Sequence, residues 1–309
     1  MKKSRVLAPE INAFLTALLL VWLSIAVTAS AQSTPNGDPK ATALLEKHVA
    51  LSQELSKNHY RRPLFLESTE SSNKVSSTAY AVLDSSFSTV SATFKKPGLW
   101  CEILILHLNT KYCHASADAS PTKIKVNIGK KTPQSLPDTF LLDFSYSLIE
   151  SSPGYLAVQL HADEGPLSTT DYRMELQAAP LADGKTFISL RYSYGFGVTG
   201  RLAMQTYLGT LGRGKIGFTQ TTSQEQKPGF VGGMRGAVER NTMRYYLAIE
   251  AYLASLKQTP ANQLNARLQR WFDATEEYPE QLHEVDKASY LAMKKDEYQR
   301  QQTAPSGPN

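Results

Sequence analysis

Five stretches of the chain alternate apolar and polar positions with a period of two, and this is its clearest pattern. They are Ile124 to Ile128, Phe140 to Leu148, Leu156 to Ala162, Tyr172 to Ala178 and Ile188 to Tyr194. Asp143, Ser145 and Ser147 face away from the apolar side of the second, Arg173, Glu175 and Gln177 from that of the fourth, and Ser189, Arg191 and Ser193 from that of the fifth. The connections are short and rich in turn residues: Ser151 to Gly154, Asp163 to Pro166, and Ala182 to Gly184. One apolar face, one polar face and tight connections predict an antiparallel meander.

Helical spacing frames that meander. Leu44, Leu45, Val49, Leu51 and Leu55 predict a short helix over 41–57. Strands are expected at Leu64 to Leu66 and Val75 to Leu83. Asp84-Ser85-Ser86 is a helix N-cap cluster for a helix carrying Phe87, Val90 and Phe94, and Lys95-Lys96-Pro97-Gly98 stops it. Leu99 to Leu108 is apolar, with Trp100, and has no clear period. After the meander a helix is expected from Gly200 to about Leu211, then a possible short strand over Lys215 to Thr221. A long helix from about Met234 to Leu256 carries the stripe Val238, Thr242, Tyr245, Ile249, Tyr252, Leu256, which must lie on something, and the apolar sheet face is the obvious partner. Residues 260–302 continue as charged helix with Leu264, Leu268, Trp271, Phe272, Leu282 and Val285 as packing points.

The N-terminus changes the picture. Lys2, Lys3 and Arg5 precede an apolar run from about Ala13 to Val27, and Ala29-Ser30-Ala31 follows. These are the three parts of a secretory signal peptide, with cleavage expected after Ala31. The alternative is an uncleaved anchor helix, for which the apolar run is short of the ~20 residues needed; after cleavage no transmembrane helix is expected, and a periplasmic or extracellular compartment is expected. Loss of Lys2, Lys3, Arg5 and Glu10 takes 33 basic and 28 acidic residues to 30 and 27, a net charge of +3. So small a surplus, spread along the chain, is no nucleic-acid footprint. In an oxidising compartment Cys101 and Cys113 form a plausible disulfide; the alternative is two buried thiols.

Motifs that resemble chemistry are weak. Gly195-Phe196-Gly197-Val198-Thr199-Gly200 matches a dinucleotide fingerprint, but the strand before it alternates and no acid follows at the required distance, so a glycine hinge is the better reading. Gly209 to Lys215 lacks the Ser or Thr of a phosphate loop and reads as a helix end and turn. The six histidines show no metal-ligand spacing. No catalytic residue, metal or cofactor is assigned. Asp143, Arg173, Glu175 and Arg191 read as cross-strand ion pairs.

The order of elements is a strand, a helix ending in Pro97-Gly98-Leu99-Trp100, five antiparallel strands and a long helix with an apolar stripe. It resembles the START-like (SRPBCC) helix-grip superfamily over residues 61–256. The resemblance implies an α+β fold, a curved antiparallel sheet gripping a long C-terminal helix with a cavity between them. It also implies a lipid or other apolar ligand, since members carry such ligands and some are cyclases or hydrolases. The chain then divides into a signal peptide (1–31), a leader and short helix (32–60), the START-like domain (61–256), a helical extension (257–302) and a disordered tail (303–309). Phe144, Tyr146, Tyr172, Met174, Tyr192, Tyr194, Tyr245, Ile249 and Tyr252 are the expected ligand-binding residues. Two alternatives stand beside a ligand carrier. One is an enzyme using the same cavity, with His107 or His161 near an acid, or Arg191 with Asp143. The other is an interaction protein that docks residues 260–302 on a partner or a second copy through Trp271, Phe272 and Tyr290.

Overall fold

The structure, a computed structural model, describes residues 38–116, 121–210, 212, 214–221 and 229–303. The expected signal peptide, and the expected tail beyond Thr303, lie outside the described residues. Eight strands form one antiparallel sheet: β1 (Leu64–Glu70), β2 (Lys74–Leu83), β3 (Thr110–Ser116), β4 (Lys123–Ile128), β5 (Phe140–Ser151), β6 (Leu156–Gly165), β7 (Thr169–Pro180) and β8 (Thr186–Phe196). Their order is β1-β2-β8-β7-β6-β5-β4-β3. The five alternating stretches are β4 to β8. Met174 stands opposite Tyr192, Leu176 opposite Leu190, and Ala178 opposite Ile188, so the apolar positions of neighbouring strands share one face.

The helices are α1 (Pro39–Ala50), α2 (Ser52–Ser56), α3 (Phe87–Phe94), α4 (Pro97–Leu104), α5 (Val198–Gly209), α6 (Gly233–Ser255), α7 (Pro260–Glu276), α8 (Pro279–Leu282) and α9 (Lys287–Thr303). A two-stranded ribbon, β9 (Gln220–Thr221) with β10 (Gly229–Phe230), precedes α6. The inner face of the sheet grips α6, whose Val238, Tyr245, Ile249 and Tyr252 are all buried. Burying each large apolar side chain contributes roughly 1.5–3 kcal/mol, which makes this layer the core of the fold. α6 is not merely amphipathic, because 17 of its 23 residues are buried. The sheet covers one side of it and α7 packs on another.

Local signals explain the ends of several elements. Ser86 accepts from Thr89 N at 3.3 Å and starts α3. Pro97, which ends that helix, also occupies the first turn of α4, where a missing N–H costs nothing. α4 and β3 were not expected from the sequence. The charged segment 260–302 is three helices, with breaks at Tyr278-Pro279 and before Lys287. On the outer face of the sheet, Ala41, Leu44, Leu51 and Leu55 pack with Tyr155, Ala157, Ala179 and Phe187.

The C-terminal helices fold back on the same body. Trp271 Nε1 donates to Arg244 O at 3.0 Å, and Tyr290 Oη donates to Leu106 O at 3.0 Å. The two rings stack at 5.0 Å. Trp271, Phe272 and Tyr290, the docking anchors of the interaction reading, are thus buried in the chain's own core. α9 also covers edge strand β3, where Glu297 accepts from Lys111 Nζ at 2.9 Å and from Lys294 Nζ at 2.6 Å. Among the described residues no helix is long and apolar enough to cross a membrane.

Candidate functional site

A cavity of about 170 Å³ lies between the inner face of the sheet and the N-terminal half of α6. Several segments place its walls. The first is the loop between α4 and β3. A disulfide joins Cys101 on α4 to Cys113 on β3, with a Cα–Cα distance of 5.2 Å, and staples the segment that carries His107 and Asn109 to the cavity. Asn109 N donates to His107 Nδ1 at 3.1 Å. That bond makes Nδ1 the acceptor, so the ring proton sits on Nε2. Burial, and then the nearby Arg244, Lys294 and Lys131 charges, hold the His107 pKa well below its usual value, so the ring is neutral at pH 7. Its Nε2 is buried without a well-formed hydrogen bond, and the Asn241 amide is near enough to act on the ring.

The second wall is aromatic. Alternation on β7 and β8 points Tyr172, Tyr192 and Tyr194 inward, and the helical stripe brings Tyr245 to meet them. Tyr172 and Tyr194 stack at 5.1 Å, Tyr192 and Tyr245 meet edge to face at 5.4 Å, and Tyr245 stacks on His107 at 4.9 Å. Burial pushes the Tyr172 phenol up to about 12, and raises Tyr192, Tyr194 and Tyr245 as well. All four keep their O–H at neutral pH.

The third wall is cationic. Arg240 and Arg244 stand one turn apart on α6, both buried, with Asn241 between them. Lys131, from the β4–β5 connection, joins them. Glu284 accepts from Arg244 at 2.9 Å and pairs with Lys131 at 2.6 Å and Lys215 at 3.5 Å. Burial opposes the Glu284 charge, but these cations outweigh it and hold the carboxyl below its usual value. Arg240 is brought down to about 10 by burial and by the Arg244 guanidinium, and stays charged.

α5 and the β6–β7 connection close the remaining sides with Met204, Tyr207, Pro166 and Leu167. Leu167 and Ser168 adopt φ values of +59° and +58°, an uncommon conformation for residues with a side chain. The third glycine of the fingerprint-like run explains how α5 fits there. A Cβ on Gly200 would lie 2.5 Å from Ser168 O. The run therefore serves close packing of α5 on that connection. Part of the second glycine-rich run, at 211 and 213, lies outside the described residues.

Four of the nine expected ligand-binding residues, Tyr172, Tyr192, Tyr194 and Tyr245, line this cavity. Phe144, Tyr146, Met174, Ile249 and Tyr252 are not among its lining residues. They sit in the filled end of the grip. The Tyr146 hydroxyl donates to Phe94 O of α3 at 3.0 Å, and Tyr252 lies 5.4 Å beneath the Arg267 guanidinium. Ile249 and Tyr252 are one and two turns past Tyr245, beyond the cavity. Arg240, Arg244, Asn241, Asn109 and Lys131 were missed as lining residues.

The candidate catalytic pairs do not assemble here. His161 meets Asp171 at 3.1 Å on the outer face of the sheet. Arg191 pairs with Glu175 at 4.0 Å and Asp143 with Lys123 at 3.8 Å, so Arg191 and Asp143 are not partners. His107 reaches the cavity, but among the described residues no carboxylate lines it. Among the described residues no group of three metal-ligating side chains assembles.

The strand order, the sheet closed on α6 and the cavity between them define the architecture. The chain has a START-like, helix-grip fold. No family model matches the sequence, and no curated protein does. Solved structures similar to it include human StAR-related lipid transfer protein 5, at 8% identity and a TM-score of 0.38, covering 71% of this chain and 97% of that one. Truncated norcoclaurine synthase from Thalictrum flavum matches at 15% identity and a TM-score of 0.33, over 47% of this chain and 91% of that one. A protein from Arthrobacter aurescens matches at 14% identity and a TM-score of 0.32, over 64% of this chain and 94% of that one.

Proposed function

We propose that this chain is an exported, periplasmic or secreted protein that binds a molecule with an apolar body in the cavity between its sheet and α6. The observation that carries this reading is the cavity itself, walled by Tyr172, Tyr192, Tyr194 and Tyr245 within an otherwise packed core. Concave sites lined mainly by apolar and aromatic side chains with a few convergent polar groups are where small molecules bind. The volume narrows the class of ligand. Pockets for drug-sized molecules begin at about 300 Å³, and a cavity of about 150 Å³ accepts benzene. A cavity of 170 Å³ suits one ring or a short chain and not a lipid with full acyl chains. Export is supported by the N-terminal segment and by the disulfide, a bond that persists in oxidising compartments.

The test is native mass spectrometry of the protein purified from its own host. The expected spectrum shows a chain beginning at Gln32 with a stoichiometric small organic adduct that collisional activation releases. A clean apo mass, joined to failure of small aromatic probes to perturb the Tyr192 and Tyr194 ring signals, would remove the ligand-carrier reading.

A further inference from the structure

The cavity is lopsided in charge. Its sheet side is aromatic and neutral, whereas Arg240 and Arg244 of α6 and Lys131 of the β4–β5 connection line it elsewhere, with no lining carboxylate among the described residues. The carboxylate beside it, Glu284, is shared among Arg244, Lys131 and Lys215. Arg240 has no acidic partner among the described residues. Its one hydrogen bond there goes to Ile216 O at 3.1 Å, although a guanidinium has five N–H donors. Two donors facing this region, Arg244 Nε and His107 Nε2, are buried without partners. A buried cation without a counter-charge is costly, and so is each buried donor left unpaired. These groups all line the same cavity. An oxyanion placed there would neutralise Arg240 and accept from donors that now have nothing to donate to.

Resting on the reading of this cavity as a ligand site, we infer that its ligand is a small amphiphilic oxyanion. A carboxylate is held on the Arg240 and His107 side, and an apolar body no larger than about one aromatic ring lies against Tyr172, Tyr192 and Tyr245. The planar fork of an arginine matches a carboxylate in two parallel hydrogen bonds, and such charge-assisted bonds are about twice as strong as neutral ones. The tyrosine rings supply the apolar contact, and a neutral His107 donates without adding charge.

The test compares benzoate with benzamide, which share size and shape but not charge, by calorimetric titration of the wild-type chain. Benzoate is expected to bind at least about tenfold more tightly than benzamide. In Arg240→Gln that preference is expected to collapse to less than about twofold, and in Arg240→Lys to survive in part. The wild-type comparison needs no variant, so a variant that fails to fold does not spoil it. Equal binding of benzoate and benzamide would overturn the anion inference while leaving the cavity a ligand site. No binding of either, with unmoved tyrosine signals, would overturn both. Inorganic phosphate binding as tightly as benzoate would overturn the apolar body, because the head group alone would then suffice.

Discussion

Removing the charge of Glu297 should be among the most damaging single changes in the chain. The carboxylate is 2% exposed and lies between two ammonium groups that are 0% exposed. Lys294 also donates to His107 O at 2.8 Å and Thr110 O at 2.7 Å, and Lys111 to Leu108 O at 3.0 Å. These bonds tie α9 to β3 and to the loop that bears His107. Glu297→Gln keeps the volume but leaves two buried cations facing a neutral amide. Breaking a buried ion pair in this way costs about 3–5 kcal/mol. At about 2–4 °C per kcal/mol for a domain of this size class, Tm should fall by roughly 6–20 °C. The triple variant Lys111→Met, Lys294→Met, Glu297→Leu replaces the whole ionic group with apolar side chains. It should recover most of the loss, because the penalty comes from unpaired charge and not from lost volume. Differential scanning calorimetry and urea titration read both effects. Glu297→Gln within about 0.5 kcal/mol of wild type, the scale of an ordinary surface substitution, would refute the reasoning.

Other outcomes follow from the same geometry. The folded-state pKa of Glu284 lies below its unfolded value, so its contribution is present above the unfolded pKa and is lost as pH falls through the folded one. Glu284→Gln should therefore lower Tm at pH 7, and wild type and variant should converge in acid, as pH-dependent calorimetry would show. The same variant should bind benzoate more tightly than wild type, since it removes the carboxylate that competes for Arg244 and Lys131. The double variant Cys101→Ala, Cys113→Ala opens a loop spanning 12 residues and should lose about 3 kcal/mol by urea titration. It should also weaken benzoate binding, because His107 and Asn109 ride on that loop. Ala237→Leu fills the cavity from α6 and should abolish calorimetric binding without moving Tm by more than a few degrees.

The parts of the fold that could be read from the sequence are those where one face is wet. β5 to β8 alternate because Asp143, Arg173, Glu175 and Arg191 face solvent while Phe144, Met174, Leu176 and Leu190 face α6. β3 gave no such signal because its first four residues are all buried. Lys111 reads as a surface residue in the sequence and is instead paired beneath α9. α4 was ambiguous for a related reason, since Leu99 to Leu108 is nearly all apolar and carries no period. The site followed the same rule. Tyr172, Tyr192, Tyr194 and Tyr245 could be found by period, on the strands and on the stripe of α6. Arg240 and Arg244 could not, because charges opposite an apolar stripe ordinarily mark the wet side of a helix. Here the fold covers that side too, so Arg240 and Arg244 line the cavity and Arg244 meets Glu284. The filled end of the grip was equally hidden. Nothing in the spacing of Phe144, Tyr146, Met174, Ile249 and Tyr252 separates core from lining; only the docking of α3 and the reach of α7 decide it.

The most direct measurement of the central claim is a crystal structure of the chain grown with benzoate. The account predicts one ring in the cavity, in contact with Tyr172, Tyr192 and Tyr245, and the carboxylate on Arg240. A saturated crystal whose cavity holds only water or nothing, with benzoate elsewhere on the surface, would contradict it.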